Sequence, residues 1–121
     1  MGTKSVAIID DDASANRALG RLLRGAGFEP SGFESAESYL ADPLRRSFAC
    51  VLADIQLTGM SGLELQAHLN AERCKIPIIF ITAHGDEKMR MQALRAGAVG
   101  FMAKPFDDEA LLESVRAALE S

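Results

Sequence analysis

Long apolar runs, an excess of positive charge and close-spaced cysteines are all missing from this 121-residue chain, and each shortage narrows what it can be. The longest apolar run, Ile76-Pro77-Ile78-Ile79-Phe80-Ile81, falls far short of the ~20 residues that a membrane-spanning helix requires. The amino terminus carries no charged-then-apolar export segment, so the expected compartment is the cytoplasm. Lysine and arginine number 13 against 17 aspartates and glutamates, and the formal net charge of -4 argues against direct nucleic-acid binding. Cys50 and Cys74 form no close-spaced ligand pair and have few other ligands to join, which points to reduced, buried thiols rather than a zinc site. What remains is 48% hydrophobic and 25% charged, ordinary for a globular protein, and the length predicts a single domain over 1–121.

Five apolar runs punctuate the chain. Ser5-Val6-Ala7-Ile8-Ile9 reads as a strand covered on both faces and ends in Asp10-Asp11-Asp12. Leu19, Leu22, Leu23 and Ala26 then share one helical face, with Gly25 and Gly27 available to stop the helix. Phe28 to Phe33 is a weak strand that Pro30 restricts to a sheet edge. A second helix opens at Ser35, and Asp42-Pro43 interrupts or restarts it. Cys50-Val51-Leu52-Ala53-Asp54 is a buried strand that delivers one acid to the loop Ile55 to Gly62. A third helix follows over Leu63, Leu65, Ala67 and Leu69 to about Arg73. The run Ile78 to Ile81 ends at Thr82, and a fourth helix begins at Asp86-Glu87-Lys88 and stops at Gly97. Ala98 to Ala103 is the last strand, followed by Lys104-Pro105. Asp107 or Asp108 caps a final helix whose Leu111, Leu112, Val115, Ala118 and Leu119 form one apolar face.

This alternation predicts an α/β fold, a doubly wound (βα)5 three-layer sandwich with a parallel five-stranded sheet and helices on both faces. The flavodoxin-like strand order 2-1-3-4-5 puts the Pro30 run at an edge and brings strands one and three together at the switch point, where ligands gather. Asp10, Asp11 and Asp54 then meet at adjoining strand ends, with Thr82 and Lys104 on the same rim. Taken alone, Asp54 is equally a turn or cap residue, Lys104 a solvated lysine and Thr82 a turn residue. Two ionised carboxylates about 4 Å apart repel by roughly 4 kcal/mol at an effective dielectric of about 20. Neutralisation comes either from raised pKa values or from a hard divalent cation, Mg²⁺ or Mn²⁺, which suits an oxygen-only site. With Lys104 present as well, such a pocket can receive a phosphoryl group on Asp54.

The motifs Ile9-Asp10-Asp11-Asp12, Asp54 with Met60-Ser61-Gly62, Ile81-Thr82-Ala83 and Lys104-Pro105-Phe106 together resemble the receiver domain of two-component response regulators over essentially the whole chain. The segments Thr82-Ala83-His84-Gly85-Asp86 and Gly97-Ala98-Val99-Gly100-Phe101 are similar to the nitrogen-fixation (FixJ-like) subfamily. The resemblance implies Asp54 as phosphoacceptor from a sensor histidine kinase. It also implies Asp10, Asp11, Asp54 and the Gln56 main-chain carbonyl as Mg²⁺ ligands, and Thr82 and Lys104 as phosphoryl-binding groups. Phe101 matches the aromatic switch position, with a plain core phenylalanine as the alternative, and Lys104-Pro105 matches a peptide usually cis. Signalling would then repack the face formed by the fourth helix, fifth strand and fifth helix. Homodimerisation there would use Met89, Met91 and Leu94, which are otherwise core residues.

Two positions depart from the family. Thr58 stands where proline is common, and His84 with Gln56 occupies positions that influence acyl-phosphate hydrolysis, although His84 is equally an exposed loop histidine. His68 reads as a surface helix residue. A haloacid-dehalogenase-type phosphatase would require a second Asp at position 56, where the chain has glutamine. A flavodoxin-like FMN module is disfavoured because three acids would repel the phosphate, and a docking-only receiver is disfavoured by the complete acceptor set. The last helix is expected to reach Leu119-Glu120-Ser121, with any output domain lying outside these residues. The subfamily resemblance points to a helix-turn-helix output in a parent protein, while a stand-alone regulator and a kinase-attached receiver remain open.

Overall fold

The computed structural model describes residues 3–83 and 85–120. Five strands form one parallel sheet: β1 (Ser5–Ile9), β2 (Glu29–Phe33), β3 (Cys50–Ala53), β4 (Ile78–Thr82) and β5 (Gly100–Ala103), in the order β2-β1-β3-β4-β5. Among the described residues, five helices alternate with them: α1 (Ala13–Gly25), α2 (Ala36–Ala41), α3 (Gly62–Ala71), α4 (Glu87–Arg95) and α5 (Asp108–Glu120). The predicted order is therefore the observed one, with the Pro30 strand at an edge. Asp42-Pro43 does end the second helix, and a single 3-10 turn, Arg45–Ser47, fills the gap before β3.

Alternating side chains of the buried strands feed two separate cores, as the period of two requires. Ala7, Ile9, Val51, Ala53, Ile78 and Phe80 pack with Ala36, Tyr39, Leu65, Leu69 and Ala93 of α2, α3 and α4. Val6, Ile8, Cys50, Leu52, Ile79 and Ile81 pack on the other face against Leu19 and Leu23 of α1 and Leu111, Leu112, Val115 and Ala118 of α5. Cys50 belongs to the second core, while Cys74 packs against the first, so the sheet separates the two free thiols. Burial pushes the Cys50 thiol up to about 12, which keeps it protonated and inert.

Helix starts follow local side-chain chemistry. Asp12 accepts from the Ser14 and Ala15 amides, Ser35 from Ser38, Asp86 from Met89, and Asp107 rather than Asp108 from Ala110. Ser61 and Glu64 form a reciprocal capping box at α3. Gly62, the first residue of that helix, lies so close to the chain above it that an added Cβ would stand 2.6 Å from the Asp54 carbonyl oxygen. Only glycine allows α3 to begin directly beneath the Asp54 loop.

The other end of α3 holds α4. The Gln66 amide donates to the Ala93 carbonyl at 2.9 Å and the Asn70 amide to the Ala96 carbonyl at 2.8 Å. The Ala93 carbonyl also accepts from the Ala98 N–H at 3.0 Å, so both side chains bond carbonyls in the last turn and cap of α4. Met89 and Leu94 pack toward the core, and Met91 is exposed with Val99, so only Met91 of the three proposed interface residues faces outward in this way.

Leu52, 1% exposed between the sheet and its helices, tests the packing. Leu52→Ala is expected to cost about 2–5 kcal/mol in urea unfolding. Leu44→Ala, at a position 68% exposed, is expected to change stability by less than about 0.5 kcal/mol.

Candidate functional site

The register of the sheet delivers the site. Ile9 of β1 pairs with Ala53 of β3, so the next residues, Asp10 and Asp54, emerge level with one another. Thr82 of β4 pairs with Ala103 of β5, which sets Lys104 on the same rim. The backbone ladder runs one bond past the strands: Asp54 N–H donates to the Ile9 carbonyl at 3.0 Å, and Lys104 N–H donates to the Thr82 carbonyl at 2.9 Å. Asn16 ties the opposite side, its amide donating to the carbonyls of Asp10 and Phe33.

Lys104 Nζ donates to Asp10 Oδ2 at 2.8 Å and to Asp54 Oδ2 at 3.1 Å. The three side chains are 21%, 3% and 12% exposed, so water screens these pairs less than it would at an open surface. Partial burial acts against the Lys104 charge. Hydrogen bonds and charge from Asp10 and Asp54 outweigh it and raise the ammonium's pKa. The remaining carboxylate oxygens are engaged locally: Asp10 Oδ1 accepts from Asp12 N–H and Asp54 Oδ1 from Gln56 N–H, both at 2.9 Å. The Gln56 main chain therefore lies against the Asp54 carboxylate through its N–H.

Asp11 stands apart from this pair. Its Oδ2 accepts from both the amide and the hydroxyl of Thr58, each at 3.0 Å. Two residues on, Met60 N–H donates to Glu37 of α2 at 2.9 Å, a bond that lowers the Glu37 pKa. The donor set of Asp10, Asp11, Asp54 and the Gln56 carbonyl is all oxygen and suits a hard cation. Among the described residues, however, no three acidic, histidine or cysteine side chains come close enough to hold one. The acids are thus chemically suited to a cation and arranged around Lys104 and Thr58.

Thr82 is buried, 1% exposed, and Phe101 is half-buried beside it. Gly85 makes their approach visible: a Cβ there would stand 2.7 Å from the Thr82 methyl and 2.8 Å from Phe101 Cζ. The ring and the threonine thus converge on a gap that glycine leaves open. The Lys104-Pro105 peptide is cis. His84 lies outside the described residues, and His68 sits on α3 with its Nε2 3.3 Å from Glu72. Sequence reasoning did not single out Asn16, Glu37 or Gln66. None has a spacing signal, because their partners are main-chain groups distant in sequence.

A raised folded pKa means that the Lys104 contribution to stability is fully present below the unfolded lysine value of about 10.4 and is lost as pH rises through the folded value. Lys104→Met is therefore expected to lower the urea midpoint at neutral pH, and its difference from wild type to shrink above about pH 10.4. A difference unchanged across that window would contradict the ion-pair account.

Residues 6–116 match the response regulator receiver domain model. Nodulation protein W of Bradyrhizobium diazoefficiens is 42% identical over 119 residues, which cover 98% of this chain and 52% of that protein. The response regulator protein TodT of Pseudomonas putida is 43% identical over 113 residues, 93% of this chain and 50% of that protein. The chain thus spans about half the length of these relatives. The crystal structure of FixJ-N superposes with a TM-score of 0.89 at 37% identity, covering 99% of this chain and 96% of that one. Agreement of sequence and fold leads to one assignment: the chain belongs to the receiver domain family of two-component response regulators.

Proposed function

We propose that residues 1–121 act as one receiver unit that accepts a phosphoryl group on Asp54 from a sensor kinase's phosphohistidine. The observation that carries this reading is the Lys104 ammonium bonded to both Asp10 and Asp54 at the strand ends. In the transfer, an Asp54 carboxylate oxygen attacks phosphorus. The P–N bond breaks with its electron pair going to the imidazole nitrogen, which is protonated, and an acyl phosphate remains. Lys104, kept charged by its raised pKa, passes from the carboxylate to the new phosphoryl oxygens. Thr82 donates its hydroxyl to another of those oxygens. Water attack on the acyl phosphate later releases inorganic phosphate and restores Asp54, so the chemistry is self-phosphorylation from a donor and autodephosphorylation.

Receiver domains generally bind Mg²⁺ in an acidic pocket. Here Asp10, Asp11, Asp54 and the Gln56 carbonyl would hold Mg²⁺ or Mn²⁺. When bound, the cation supplies positive charge to the phosphoryl oxygens. Gln56 also argues against a dehalogenase-type phosphatase, since its side chain cannot serve as the second acid.

The readout follows from the Thr82, Gly85 and Phe101 contact. A threonine drawn toward phosphate leaves space that the Phe101 ring can take, and the α4-β5-α5 face changes. The resemblance to the FixJ-like subfamily supports the rest of this reading: a cytoplasmic setting, a helix-turn-helix output domain in a parent protein, and homodimerisation on that face with Met91 outward. Receiver domains interact with histidine kinases, and the cognate one here would recognise the Asp54 rim.

Beryllofluoride with Mg²⁺ mimics the acyl phosphate. It is expected to shift wild-type amide resonances around Asp54 and at Thr82 and Phe101, and to leave Asp54→Asn unchanged. A wild-type spectrum indifferent to the reagent would overturn the proposal.

A further inference from the structure

Lys104 engages Asp10 and Asp54, but Asp11 is held from a different direction. One Asp11 oxygen accepts both donors that Thr58 possesses, across 47 positions of sequence. The residue type matters here. Threonine offers an amide and a hydroxyl, valine offers only the amide, and proline offers neither. Hydrogen bonds to an ionised oxygen are the stronger kind, so two on one atom bias where that carboxylate rests. In this arrangement no three acidic, histidine or cysteine side chains among the described residues gather closely enough to hold a cation.

We propose that Thr58 is a positioning residue that latches Asp11 to the loop between β3 and α3, so that a divalent cation must draw Asp11 off both Thr58 donors before binding fully. This rests on the reading of Asp10, Asp11 and Asp54 as cation ligands. The latch weakens cation binding, and by reciprocity cation binding weakens the latch. Released from Asp11, the loop keeps its second tether, the Met60 bond to Glu37. Thr58 thus couples occupancy of the pocket to the freedom of the segment that leads into α3.

Mn²⁺ binding measured by the electron paramagnetic resonance of the free ion tests this without any phosphoryl chemistry. Thr58→Val, which removes only the hydroxyl, is expected to bind Mn²⁺ about three- to tenfold more tightly, the range of an ordinary hydrogen bond, since the site is exposed. Thr58→Pro, lacking both donors, binds at least as tightly as Thr58→Val, and Thr58→Ser, which keeps both, binds like wild type. In wild type, Mn²⁺ also accelerates hydrogen exchange of the Thr58 amide. Equal or weaker binding by Thr58→Val and Thr58→Pro overturns the latch. If Asp10→Asn and Asp54→Asn still weaken wild-type binding in that case, the cation-site reading stands without it. Wild type that binds no Mn²⁺ removes both.

Discussion

The Lys104 ammonium is the one cation bonded to the two strand-end carboxylates among the described residues, and the rim of the sheet depends on it. Asp10 and Asp54 emerge from neighbouring strands because Ile9 pairs with Ala53, so the register that builds the core also forces two acids together. Leaving both ionised and mostly buried without a counter-charge would cost free energy. The same lysine that offsets this cost is set on the rim by β5, next to Thr82 of β4. A new phosphoryl group on Asp54 would compete for that ammonium and for the Thr82 hydroxyl together. A local change in charge would thus be felt at β4 and β5.

The surroundings divide into fixed and movable parts. Glycine at position 62 lets α3 start beneath the Asp54 loop, and its capping box fixes that start. Gln66 and Asn70 then tie the far end of α3 to the C-terminal carbonyls of α4. The beginning of α4 is held by the Asp86 cap, close in sequence to the gap shared by Thr82, Gly85 and Phe101. A helix anchored at its far end and capped locally at its start is suited to report movement at Thr82. The loop from Asp54 to Gly62 has its own restraints, Thr58 on Asp11 and Met60 on Glu37, which link β1, α2 and α3 around the acids.

Much of this was legible in the residues because each feature is local. Apolar runs of strand length ending in Asp, Thr or Lys announce both the sheet and its chemical rim, and Pro30 announces the edge. Asp12 as a cap was readable from the acids preceding an apolar helix, whereas choosing Asp107 over Asp108 needed the helix start itself. The pattern Ser61 to Glu64 is a capping signature that spacing alone would have revealed. Gln66, Asn16 and Glu37 gave no such signal, since a side chain bonded to a distant main-chain group leaves no periodicity. The division of Met89 and Leu94 from Met91 was likewise hidden, because methionine fits a core or a surface equally well. Thr58 was visible as a departure from proline, but its grip on Asp11 depends on two loops meeting in space.

The central claim is that Asp54 is the nucleophile of this rim, and the most direct test is chemical. After exposure to acetyl phosphate and Mg²⁺, borohydride reduction converts an aspartyl phosphate to homoserine, which peptide mass spectrometry locates. The account predicts homoserine at position 54 and nowhere else. Homoserine at Asp10 or Asp11, or no reduced residue in any peptide, would contradict it.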